Sequence, residues 1–122
     1  MKKILFICLI VLVGAFVSCT KQRDSYYVKY EVNAYKAVAG RIYPTTVHIE
    51  MLSTDTLITK IAEGEFVETY GPYKYHDMAY LKINSHNAYI LNGKIYISKN
   101  EQPFVLKAEI EGNNEISYII DF

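Results

Sequence analysis

The chain has 122 residues, with 13 basic and 13 acidic side chains, 12 tyrosines, no tryptophan and two cysteines. That balance leaves no basic excess for nucleic acid and no acidic tail, and the length suits one domain with a modest core. The prominence of Tyr, Val, Ile and Thr points to pleated, half-buried surfaces rather than helices.

Met1-Lys2-Lys3 is a short positive start, and residues 4–17 then run without a charge before Ser18-Cys19. This is the basic and apolar sequence of a secretory signal, shorter than the ~20 residues a spanning helix needs. A small residue before a cysteine at the end of such a run resembles the lipobox of bacterial lipoproteins, with Phe16 where that motif usually has Leu. The resemblance implies cleavage before Cys19, a diacylglycerol on its thiol and an acylated new amino terminus, so that palmitate-class chains hold the protein in the membrane. Several chains anchor where one does not, since each buried CH₂ contributes about 0.8 kcal/mol. The alternatives are a plain signal peptide, with Cys19 a chance thiol, and an uncleaved anchor. Cleavage would leave 104 residues carrying eleven basic and thirteen acidic side chains and one cysteine, which excludes an internal disulfide. The expected organisation is a lipoprotein signal peptide over 1–18, a tether over 19–25 and one domain over 26–122.

Residues 20–25 are polar and without periodicity. Exported surface lipoproteins of the Bacteroidota carry an acidic run just after the cysteine; Lys21 and Arg23 stand there instead, which favours a periplasm-facing anchor in the bacterial cell envelope. Residues 26–32 alternate, with Tyr26, Val28, Tyr30 and Val32 on one face, and so predict a strand with one solvated side. Gly40 marks a turn, and Pro44 is expected to open the next strand, with Val47, Ile49 and Met51 inward. Ser53-Thr54-Asp55 is turn chemistry. A strand over 56–61, a turn at Glu63-Gly64-Glu65 and a strand over 66–70 ended by Gly71-Pro72 follow. Residues 73–77 read as a loop, and 78–84 as a strand with Ala79, Leu81 and Ile83 inward. Asn92-Gly93 is the strongest short hairpin signal, joining 88–91 to 94–98. Residues 104–111 and 115–122 predict a closing hairpin through Gly112-Asn113-Asn114, with Leu106 facing Ile120 and Ile110 facing Ile116.

No segment after Cys19 shows a helical period. About seven to eight short strands with regular turns predict an all-β fold, an immunoglobulin-like antiparallel β-sandwich. Tyr30-Glu31-Val32, residues 93–97 and residues 103–108 resemble pieces of small β-sandwich lipoproteins of the Bacteroidota and, more distantly, the MmpS-type accessory proteins of mycobacterial envelopes. The resemblance implies an envelope-held sandwich and transfers no catalytic residue.

Little in the sequence carries chemistry. His48, His76 and His86 lack metal-site spacing, and each falls on an expected outer face or turn. His76-Asp77 stands without a nucleophile motif, and there is no glycine-rich phosphate loop. These readings predict no enzyme, no cofactor and no metal. What stands out is aromatic crowding: Tyr70, Tyr73, Tyr75 and Tyr80, with His76 and Lys74 among them. Tyrosine gives large contact area at low entropy cost, which suits a partner-binding surface; the same rings equally suit covering the end of a sandwich. Two function classes follow. One is a lipid-anchored, non-catalytic binding or accessory module for an envelope protein or a glycan. The other is a structural or inhibitor-like lipoprotein without a small-molecule ligand.

Overall fold

A computed structural model describes residues 23–122; the expected signal, Cys19 and residues 20–22 of the tether lie outside the described residues. Alternation of apolar and polar side chains yields half-buried segments that pair antiparallel. The strands are β1 (Tyr26–Val38), β2 (Arg41–Pro44), β3 (Thr46–Ser53), β4 (Thr56–Tyr73), β5 (Met78–Asn84), β6 (Ile90–Lys99), β7 (Val105–Glu111) and β8 (Asn114–Ile119). Seven of them form one path in the order β7-β6-β1-β4-β3-β5-β8, and the eighth, β2, pairs with the end of β1. β4 belongs to two layers, because residues 56–63 pair with β3 and residues 64–73 pair with β1. The path therefore folds on itself at Gly64 into two facing layers, the antiparallel β-sandwich that the alternation predicts.

The expected inward sets hold. Tyr26, Val28, Tyr30 and Val32 of β1, Val47, Ile49 and Met51 of β3, and Ala79, Leu81 and Ile83 of β5 are all buried in one core, which Ile95 and Ile97 of β6 complete. Each fully buried aliphatic side chain contributes roughly 1.5–3 kcal/mol. The turns at Ala39-Gly40 and Thr54-Asp55 close tight hairpins, Val38 pairing with Arg41 and Ser53 with Thr56. Ala39 and Gly40 both take positive φ, as a type I′ turn requires.

Four local expectations are corrected. Pro44 ends β2 rather than opening the next strand. The two strands expected over 56–61 and 66–70 are one strand, β4, which bends at Gly64 and runs on through Gly71-Pro72 to Tyr73. Asn92-Gly93 is not a hairpin; it lies inside β6, where Gly93 pairs with Val32 on one side and Ile110 on the other. The closing hairpin does not form: β7 pairs with β6 and β8 pairs with β5, so Leu106 lies beside Tyr96 and Ile116 beside Leu81. Gly112, with φ +70, carries the chain from one layer to the other.

A bulge in β7 has a further effect. Ile95 pairs with Ala108 but Tyr96 with Leu106, so Lys107 is the extra residue. Beyond it the alternation reverses. Leu106 and Phe104 go to the outer face, and the Lys29 ammonium lies 4.6 Å from the Tyr96 ring centroid and 4.8 Å from that of Phe104. Lys107 swings to the sandwich end, 3.9 Å from the Phe122 ring centroid.

Candidate functional site

The aromatic stretch begins on β4 and ends on β5, and its five singled-out residues do not form one surface. Tyr73 is the last residue of β4 and only 1% exposed. Its hydroxyl donates to the Leu52 carbonyl of the facing layer, and burial, the largest influence, raises its pKa. It is a core residue, so its part in the expected binding surface is withdrawn. Tyr70 is half-buried against Tyr30, ring centroids 6.1 Å apart. Its hydroxyl donates to the Glu68 carboxylate, and burial first, then that carboxylate, raises its pKa. Tyr80 lies on β5 in the other layer. Its hydroxyl donates to Glu115 Oε2 at 2.5 Å, and this bond, with lesser help from burial, pushes its pKa up to about 12.

Tyr75 and His76 remain, and the structure brings these two together. Tyr75 is 52% exposed, and its ring stacks on His76 with centroids 3.9 Å apart and planes 28° from parallel. The loop that carries them is held firmly. Lys74 N donates to Asp77 Oδ2 at 2.8 Å, and Asp77 N donates to the Lys74 carbonyl at 3.0 Å. His76, at φ +72, donates its N–H to the Ile120 carbonyl at 2.9 Å, while Ile120 N donates to the Asp77 carbonyl at 3.0 Å. The tip is thus two aromatic rings on a backbone fixed at both ends, flanked by the exposed Lys74.

Sequence reasoning missed what lies beside this loop. Tyr26, where β1 begins, pairs with Tyr73 on one side and Lys99 on the other. The end of the tether, Asp24 and Ser25, is docked on the β6–β7 connection. Ser25 N donates to Asn100 Oδ1 at 2.9 Å, and Asn100 N donates back to the Ser25 carbonyl at 2.8 Å. Asn100 Nδ2 donates to Asp24 Oδ1 at 2.8 Å, and the Lys99 ammonium stands 3.6 Å from Asp24 Oδ2. The Asn100 bond, with the Lys99 charge, holds the Asp24 carboxyl below its ordinary range. Asn100 takes φ +51 and Glu101 φ +63. Adjacent polar residues outside any strand carry no period, so only the pairing of β1 with β6 places them at Asp24.

His48 lies on the outer face of β3 opposite Ile61 and Asn84, and His86 is exposed beyond β5. Among the described residues, no group of three or more His, Cys, Asp or Glu side chains is placed to hold a metal ion. Also among them, no helix is long and apolar enough to cross a membrane. No protein-family model, curated protein or solved structure matches the chain.

Proposed function

We propose that this chain is a lipid-anchored protein of the bacterial cell envelope, periplasm-facing, that acts as a non-catalytic binding or accessory module through the Tyr75–His76 tip. The observation that carries the reading is the run from Met1-Lys2-Lys3 through the uncharged residues 4–17 to Ser18-Cys19, followed only seven residues later by Tyr26, the start of β1. An acceptor cysteine so close to a folded domain leaves a short tether and little else. The resemblance of the strand segments to small envelope lipoproteins supports it. A structural or inhibitor-like role is the second reading. It is favoured by the way Tyr73, Tyr26 and Phe122 close the end of the sandwich, the last two rings meeting edge to face at 5.7 Å.

The test is Cys19→Ser in the full chain. The variant should leave the membrane fraction, or stay as an unprocessed precursor, and should lose metabolic labelling by a palmitate analogue. Equal labelling of the two forms would overturn the anchor. Crosslinking of intact envelopes then separates the roles: a discrete protein, glycan or lipid adduct at the tip marks a module, and none marks the structural reading.

A further inference from the structure

The tether exit and the aromatic tip lie at the same end of the sandwich. Tyr26 lies opposite both Tyr73, which leads into residues 74–77, and Lys99, which leads into the Asn100 loop. The contact is close: a Cβ on Gly71 would meet Tyr27 Cδ1 at 2.5 Å and the Tyr26 carbonyl oxygen at 3.0 Å. Asp24 and Ser25 are already bound to Asn100 and Lys99. The docked stretch therefore begins at Asp24, five residues beyond Cys19. Five residues span at most about 18 Å when fully extended, whatever conformation they adopt.

From these distances we infer that residues 74–77 face the lipid surface, with Tyr75 and Lys74 seated among the phospholipid headgroups beside the anchor. The inference rests on the lipid-anchored reading and names the partner of the same tip. With the chain docked from Asp24 on, the end of the molecule that bears Tyr75 stays within reach of the membrane. The chemistry of the tip suits that place. Tyrosine rings gather at membrane interfaces because one edge is apolar and the other wet. Lys74 extends a charge on an apolar stem that reaches back to the headgroups. The far end carries Tyr89, 75% exposed, whose N–H donates to the Tyr35 carbonyl at 2.7 Å. Tyr35 is nine residues along β1 from Tyr26, a rise of roughly 30 Å, so Tyr89 stands well clear of the lipid.

The chain has no tryptophan, so one can be introduced as a unique reporter. Tyr75→Trp and Tyr89→Trp proteins, each expressed from the full chain and recovered after processing, are placed in vesicles of phosphatidylethanolamine and phosphatidylglycerol, with and without bromine on the upper acyl carbons. With Tyr75→Trp, emission should shift to the blue and be lost to brominated lipid, whereas with Tyr89→Trp it should be unchanged. If the proteins sediment with the vesicles but Tyr75→Trp keeps its emission, or both variants are quenched alike, the lipid-facing tip is refuted and the anchor stands. If the Cys19-containing proteins do not sediment with vesicles, the anchor itself is refuted and the inference falls with it.

Discussion

At Gly93 the facing layer leaves no room for a side chain. A Cβ there would meet Leu81 Cδ2 at 2.8 Å, Ile83 Cδ1 at 3.3 Å and Ile110 Cγ1 at 3.4 Å. This is why position 93 is a glycine; the Asn-Gly pair, which locally favours a turn, lies straight within β6 because β1 and β7 pair with it on both sides. Gly93→Ala should cost roughly 1–3 kcal/mol through overpacking, read as a lower denaturant midpoint with unchanged slope. A variant as stable as the parent would show that the facing side chains yield freely. Tyr30 has a comparably specific place. Its hydroxyl donates to the Leu52 carbonyl at 2.7 Å and accepts from Tyr80 N at 3.2 Å, so one phenol from β1 joins β3 to β5 just past the Met51–Leu81 pair. Its inward face is legible from alternation, but its two backbone partners are not.

β4 is the element that makes two layers from one path. Its bend is built around Gly64, which is buried at φ +71 with Pro44 Cβ 3.1 Å from where a Cβ would stand. Thr45 secures the corner, donating its N–H to the Ala34 carbonyl at 3.1 Å and accepting Gly64 N at 3.2 Å. A left-handed backbone costs a residue with a Cβ roughly 1–2 kcal/mol. Gly64→Ala should lower stability by at least about that amount, visible as a drop in the thermal midpoint; an unchanged midpoint would show that the corner does not depend on the missing side chain. Glu68, opposite the inward Tyr30, places a carboxylate toward the inner side at the rim of the sandwich, a feature that discourages strand addition along an edge. The sequence marks Gly64 as a break, and a break it is, but the strand bends there without ending. The bulge at Lys107 is a second event of this kind. It moves Leu106 and Phe104 to the outer face although strict alternation from Ile110 would keep them inward.

Across the whole molecule, the two layers are joined by buried phenols as well as by apolar packing. Tyr30 and Tyr73 both donate to the Leu52 carbonyl, and Tyr70 packs beside Tyr30. Burial raises all three pKa values above the ordinary value of about 10. Above that pH the folded state therefore holds more protons than the unfolded chain. The contribution is complete below pH about 10 and is lost as pH rises through the folded-state values. Alkaline titration should show a cooperative step in tyrosinate absorbance that coincides with loss of the β-sheet circular dichroism signal. Smooth ionisation of every tyrosine with the strand signal intact would refute this account.

The sequence by itself determined the β class, most strand positions and the inward sets Tyr26 to Val32, Val47 to Met51 and Ala79 to Ile83. These follow from period-two alternation, a property that each segment carries alone. It also marked Tyr75 and His76 as worth attention. Only the tertiary structure decided that Tyr73 is core, that β7 and β8 part into different layers, that Asn92-Gly93 stays straight and that the tether is docked beside the aromatic tip. Each of these depends on which distant strand lies alongside. That choice is made by the combined packing of both layers, and no local pattern of residues contains it.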